Sequence, residues 1–349
     1  MLRQSLRLAL LLVGLSLLTS CREEKPVFSS TPTARSIERI DSLHQVLTSA
    51  PEGWEMLYFP KTDSLLFADT RASLDQHKFP NQLGYGGFYF QLAFTLDGKA
   101  SLRGDYTDGS AKQAQTISYS LTQGGMTRLS FTSGSYLTQL IGEDFEGELD
   151  FLFQGTDADG RLVFLSSKTI RPAQSYFLLR RVRTSDTSES RLKHAEENRK
   201  HFESMRNPQL TIRQGGRIYF RSDYITKYSS RGDLTSYGRN MVRQRYALFT
   251  NVQRKALVPG PPRAIGGLGS GYAGTPEGLT FLSGIRLDSQ RIFSDFIRQG
   301  DRYICELVRV YDPQWRTLRL VSRHLHPEGE ETGLVAEIYD DPNLSYDYY

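Results

Sequence analysis

Hydrophobic positions along the chain change period several times. Over residues 34–49 apolar residues recur at three- and four-residue steps, Ile37, Ile40, Leu43 and Leu47. This spacing predicts an amphipathic helix that packs on a sheet, ended by Ala50-Pro-Glu-Gly53. From Gly84 the period becomes two. Phe88, Phe90, Leu92, Phe94 and Leu96 share one face; Tyr89, Gln91, Ala93 and Thr95 share the other. That alternation predicts a half-buried strand, and Asp97-Gly98 a hairpin turn after it. Strand-like runs at 117–121, 149–153, 162–165 and 176–179, separated by Gly-rich turns, predict an antiparallel meander.

Between 184 and 206 apolar residues nearly vanish, and 191–202 is rich in charged helix formers, predicting a helical linker. Strand-like runs resume at 217–220, 246–249, 278–282, 303–310, 317–321 and 334–339. The expected fold is therefore mainly β (α+β): two antiparallel β domains with an N-terminal helix and a charged helical linker. Leu129-Ser-Phe-Thr-Ser-Gly134 and Leu279-Thr-Phe-Leu-Ser-Gly284 share a Leu-x-Phe-x-Ser-Gly form, a hint of duplication.

The first residues follow a different logic. Arg3 and Arg7 precede an uncharged apolar run over 8–18. Eleven helical residues reach only about 16 Å, against a hydrocarbon core of about 30 Å. The run reads as a secretory signal covering 1–20. It ends Leu18-Thr-Ser-Cys21, which resembles the lipobox of bacterial lipoproteins. That resemblance makes Cys21 the lipidation site, its sulfur taking a diacylglycerol group and its freed amine a further acyl chain, so that membrane lipid is the first expected partner. Several acyl chains make a firm anchor, because one alone holds only marginally. Residues 21–33, with a Ser/Thr/Pro stretch over 28–33, read as the lipidated tether. The remaining boundaries are a 34–183 N-terminal α+β domain, a 184–207 helical linker and a 208–349 C-terminal β domain with an acidic tail.

Composition adds two constraints. Phe and Tyr number 19 each, enough aromatic volume to fill β cores, so the chain reads as globular. There are two cysteines, so acylation of Cys21 leaves Cys305 without a partner and the fold without an internal disulfide. Cys305 alternates with Tyr303 and Leu307, and a buried, inert thiol is favoured over a nucleophile. Charge is unevenly placed: residues 184–327 hold 24 Lys plus Arg against 13 Asp plus Glu, whereas 328–349 hold seven acidic residues and no basic one. The acidic tail is expected to fold back on the basic body.

Catalytic patterns are scarce. Gly269-Ser-Gly-Tyr-Ala-Gly274 matches a dinucleotide-binding spacing, but Pro259-Gly-Pro-Pro262 precedes it and Thr275-Pro276 follows, so a flexible loop is expected. His324 and His326, two apart, share a strand face in this reading and offer a partial metal site without a third ligand. The acidic run 143–150 offers carboxylates for calcium or for glycoside cleavage, with Glu146 or Glu148 as candidates, although Glu148 and Asp150 alternate with Leu149 and Phe151 as a solvated strand face would. Aromatics are the other candidate surface, clustered at Trp54, Tyr58 and Phe59 and at Tyr346, Tyr348 and Tyr349; most are expected to be core and only a minority to line a site.

Several segments carry a family resemblance: Ala50-Pro-Glu-Gly-Trp-Glu-Met-Leu-Tyr-Phe-Pro60, Gly86-Gly-Phe-Tyr-Phe-Gln-Leu-Ala-Phe94, Leu129-Ser-Phe131, Gly142-Glu-Asp-Phe-Glu146 and Leu149-Asp-Phe-Leu-Phe153. In order and spacing they resemble Bacteroidota lipoproteins of the domain-of-unknown-function family 4302, over roughly 37–182, and Thr275-Pro-Glu-Gly-Leu-Thr-Phe281 resembles a common C-terminal element of such proteins. Arg22-Glu-Glu-Lys25 likewise resembles the charged export tag of surface lipoproteins in that group. The resemblance implies a surface lipoprotein encoded beside outer-membrane uptake receptors, and brings no functional residues with it.

The expectation is a surface-exposed, lipid-anchored outer-membrane protein, non-enzymatic and without cofactor or nucleic acid, serving as an accessory or binding protein in nutrient uptake. Its expected partners are an uptake receptor or a glycan or peptide ligand. The alternatives are a structural or adhesive surface protein whose Arg-rich, aromatic second half contacts other proteins, and a hydrolase built on the acidic run.

Overall fold

Helix formation starts at Pro32, whose fixed φ suits the first position of a helix. In the computed structural model, which describes residues 31–62, 86–107, 109–141, 145, 147–167, 174–182, 188–222, 224–228, 245–252, 264–313 and 315–342, helix α1 spans Pro32–Thr48. It thus begins inside the stretch expected to be tether. The chain divides between Arg39 and Ile40, within α1; both sheets belong to the larger unit, Ile40–Tyr349. In the smaller unit, Thr31 accepts from the Ala34 N–H through Oγ1 at 3.2 Å, capping the first turn. In the larger one, Leu43 and Leu47 are buried in the core of the first sheet, and the Trp54 indole N–H donates to the Leu47 carbonyl at 2.7 Å.

The first sheet comprises β1 (Trp54–Thr62), β2 (Phe88–Phe94), β3 (Lys99–Gly104), β4 (Gln115–Gln123), β5 (Thr127–Phe131), β6 (Asp150–Thr156), β7 (Leu162–Ser166) and β8 (Gln174–Arg181), with a one-turn helix α2 (Tyr136–Gln139) after β5. The strands pair antiparallel in sequence order and β8 returns to β1, closing a barrel. The expected meander is present, and it closes. Eight strands leave an interior that side chains can fill. Aromatic rings fill this one: Phe164 stacks on its cross-strand partner Phe177 at 4.5 Å between centroids, and Phe151 meets Phe177 edge-on at 4.6 Å.

Helix α3 (Ser188–Ser204) follows the barrel, in the segment where a charged helix was expected. The second sheet comprises β9 (Pro208–Gln214), β10 (Arg217–Arg221), β11 (Tyr224–Tyr228), β12 (Tyr246–Val252), β13 (Ala264–Gly274), β14 (Gly278–Arg286), β15 (Ile292–Gln299), β16 (Arg302–Asp312), β17 (Thr317–Ser322) and β18 (Glu330–Asp340). Its order is β10-β9-β18-β16-β15-β14-β13-β12-β11, with β17 paired to β16. The described part of the acidic tail, 328–342, folds onto the basic body. It forms β18 between β16 and β9, where Glu337 pairs with Arg302 and Glu330 with Arg309.

Two expectations change here. The Gly-rich segment 269–274 is not a loop but the end of β13, and its glycines permit close approach. A Cβ on Gly274 would lie 2.2 Å from the Ala195 carbonyl oxygen of α3, so only glycine lets this helix rest on the strand. Nearby, the Gly87 N–H donates to the Tyr272 carbonyl at 2.9 Å, tying the start of β2 to β13. The second change is that β2 is not half-buried. Tyr89 and Gln91, on its outer face, are 1% and 6% exposed, because α3 and β13 cover that side of the barrel.

Candidate functional site

Where the second sheet and α3 cover the barrel, the buried surface is charged. Glu55 on β1 is 2% exposed and lies opposite Arg180 of β8 in the ladder. The Arg180 Nε donates to its Oε2 at 2.7 Å, the Arg191 Nε of α3 donates to Oε1 at 2.7 Å, and the Tyr89 hydroxyl donates to Oε1 at 2.7 Å. Both arginines reach on to Glu277, in the turn before β14, at 3.4 and 3.2 Å. Burial works to raise the Glu277 carboxyl, but Arg180 and Arg191 more than offset it and hold the group below its usual range. Barrel, helix and second sheet are thereby joined through one chain of ion pairs.

A second cluster lies around Asp105, 2% exposed, just after β3. Arg199 of α3 donates to both of its oxygens, Nε to Oδ2 at 2.7 Å and Nη2 to Oδ1 at 2.9 Å. Arg245, just before β12, donates from Nη2 to the Asp105 carbonyl at 3.0 Å and from Nη1 to the Gly87 carbonyl at 3.0 Å, with its guanidinium 4.4 Å from the centre of the Phe88 ring. Burial favours the neutral acid, yet Arg245 and Arg199 keep the Asp105 carboxyl below its ordinary value. Fork-to-carboxylate pairing of this kind is what arginine supplies and lysine does not.

The third cluster centres on Asp159, in the β6–β7 turn. It accepts from Arg319 Nη2 of β17 at 2.5 Å, sits 2.8 Å from His326 Nε2 and pairs with Arg161 at 3.0 Å. Between the first and third clusters the walls stand apart and leave a cavity of about 300 Å³. The barrel contributes Arg161 and Arg180, and the second sheet Glu277, Asp295 and His324. Leu57, Leu178, Ile297 and Leu325 form the apolar part of the lining. Small-molecule sites share this form, a concave space with a few convergent polar groups.

The family model described as "Domain of unknown function (DUF4302)" matches residues 24–300. The chain belongs to that family. The match runs through the barrel, α3 and much of the second sheet, and takes in both the 37–182 segments and the 275–281 element on which the resemblance rested. No curated protein and no solved structure matches the chain.

In this DUF4302 chain the candidates read from sequence are scattered. Cys21, the export-tag residues 22–25 and Tyr346, Tyr348 and Tyr349 lie outside the described residues, as do Glu143 and Glu146. Glu148 and Asp150 are half-buried, and Asp150 accepts from the Ser130 hydroxyl at 2.5 Å. Trp54, Tyr58 and Phe59 are not a binding surface: all three are buried at 2% exposure or less. Cys305 shares its buried face with Tyr303 and Leu307; burial pushes its thiol up to about 12, and its sulfur lies 3.2 Å from the Ser322 hydroxyl. His324 and His326 sit in a turn after β17 rather than on a strand, and both line the cavity. Among the described residues no three His, Cys, Asp or Glu side chains gather as metal ligands.

Sequence reasoning did not single out Glu55, Arg161, Arg180, Arg191, Glu277 or Asp295. A signal existed for two of them: Glu55 and Asp295 are lone carboxylates inside otherwise apolar or aromatic runs, Trp54-Glu-Met-Leu and Ile292-Phe-Ser-Asp-Phe-Ile. A charge at such a place must find a partner when the strand is covered.

Proposed function

We propose that this protein is a non-enzymatic binding protein of the bacterial surface, with the charged cavity between barrel and second sheet as its ligand site. The cavity itself carries the reading: about 300 Å³, walled from both sheets, with polar and apolar surface facing inward. The lipobox-like Leu18-Thr-Ser-Cys21 supports anchoring in the outer membrane of a member of the Bacteroidota, and the charged 22–25 supports display on the cell exterior; the part in nutrient uptake is what the family resemblance implies. No described helix is long and apolar enough to cross a membrane. A binding role is in keeping with two of the lining carboxylates, Asp159 and Glu277, being committed to ion pairs with arginine. Both are held below the usual carboxylate range by their arginines, which keeps them charged and so less suited to act as general acids.

Two measurements test this reading. A thermal-shift panel of amino acids, sugars, organic acids and nucleosides is expected to return ligands whose effect disappears in His324→Trp, which fills the cavity. A panel with no such ligand contradicts it. Globomycin-sensitive processing and lipid labelling are expected for the native chain and lost in Cys21→Ser; labelling that persists in the variant removes the anchor.

A second reading, adhesion through the second half, rests on one observation. Tyr311 and Leu318 are cross-strand partners on the β16–β17 hairpin, and they and Trp315 are 60%, 65% and 71% exposed. This reading requires Trp315→Ala to abolish attachment to a protein partner while leaving small-molecule binding intact.

A further inference from the structure

The hydrogen-bonding capacity left on the cavity walls narrows the ligand. Leu162 of β7 pairs with Leu179 of β8, which places Arg161 and Arg180 as neighbours across the same ladder. Two like charges so placed repel unless carboxylates stand beside them. Arg180 uses Nε and Nη2 on Glu55 and Glu277, and Arg161 uses Nε and Nη2 on Asp157 and Asp159. Among the described residues neither Nη1 has a partner, so the barrel wall keeps two guanidinium donors in hand.

The opposite wall has the reverse character. Asp295 of β15, 9% exposed, accepts the Ser294 hydroxyl through Oδ2 at 2.6 Å; its charge acts on Arg161, but its Oδ1 accepts no hydrogen bond from a described residue. His324 makes no hydrogen bond to a described residue, and burial holds its imidazole below the usual range. A neutral imidazole offers one donor and one acceptor. A purely anionic ligand would meet Asp295 and Glu277, and a purely cationic one Arg161 and Arg180. A ligand with both charges, one toward each wall, satisfies all of these groups.

Resting on the cavity reading above, we propose that the site binds a free α-amino acid with an apolar side chain. Its carboxylate is held by Arg161 and Arg180, its ammonium by Asp295 and His324, and its side chain lies against Leu57, Leu178, Ile297 and Leu325. The size agrees, because about 300 Å³ lies at the small end of ligand pockets.

Isothermal titration with L-leucine, L-leucinamide, 4-methylpentanoate and glucose tests this. Leucine is expected to bind. The amide lacks the carboxylate and the acid lacks the ammonium, and each is expected to bind about ten- to a hundredfold more weakly, the value of one charge-assisted contact. Asp295→Asn, close in shape to the native side chain, is expected to weaken leucine while 4-methylpentanoate, relieved of a like charge, binds no more weakly than before. Leucine without a binding signal, or bound no better than either analogue, overturns the proposal. If glucose or another panel member binds instead and is lost in His324→Trp, the cavity reading stands and the amino-acid assignment falls. If no panel member shows cavity-dependent binding, both fall.

Discussion

At Asp105 a carboxylate with almost no access to water accepts two bonds from Arg199 and lies against Arg245. Such a group costs much in desolvation and is stable only because its partners are in place; removing its charge leaves Arg199 to Glu203 and takes from Arg245 the carboxylate beside it. Asp105→Asn is expected to lower unfolding stability by about 3–5 kcal/mol, measured by denaturant titration; a loss below about 1 kcal/mol would show that water reaches the cluster. His324 makes a second residue-scale prediction. Burial depresses its folded pKa below the ordinary value of 6.5. The unfolded chain therefore binds the proton more readily once pH falls below about 6.5. Stability is then complete above that pH and declines as pH drops through the folded value. His201 is depressed in the same direction, so His324→Gln should reduce, not abolish, the decline between pH 7 and 5. An unchanged slope would contradict the burial.

The element whose role was hardest to see is α3. Arg191, Leu192, Ala195, Asn198, Arg199 and Phe202 are its buried positions, a regular helical stripe. Three of the six are polar or charged, so apolar periodicity predicts a charged helix and does not show which face is covered. Leu192 and Ala195 pack with Tyr89 of the barrel, while Phe202 belongs to the core of the second sheet. Of the barrel strands, β2, β4, β6, β7 and β8 were legible for the opposite reason, an apolar inner face alternating with a more polar outer one; β1, β3 and β5 were not read as strands, and β1 is buried on both faces from Trp54 to Met56. β9, Pro208–Gln214, escaped because its first five residues are buried on both faces, and β13 because glycine carries no hydrophobic signal. Gly274→Ala tests the packing of α3. Its Cβ would enter the space of the Ala195 carbonyl and lie 2.9 Å from Arg199 Cβ. A loss of about 1–3 kcal/mol is expected in thermal or chemical unfolding, and a neutral substitution would mean that helix and strand stand further apart.

At the scale of the whole molecule, two sheets meet through ion pairs as well as apolar packing, and the cavity lies where that contact is incomplete. None of this could be read from the chain alone. Glu55 and Glu277 are 222 residues apart, and only the closed barrel and covering sheet bring them to shared arginines. What the sequence did offer was a pair of histidines, His324 and His326, of which the structure makes cavity lining and an Asp159 partner. The central claim, that this cavity is the ligand site, is tested most directly by hydrogen exchange with and without a ligand from the panel. The account predicts slowed exchange at Asp157–Arg161, Thr275–Gly278 and His324–His326, with the Tyr311–Leu318 hairpin unchanged. Protection confined to that hairpin would contradict it.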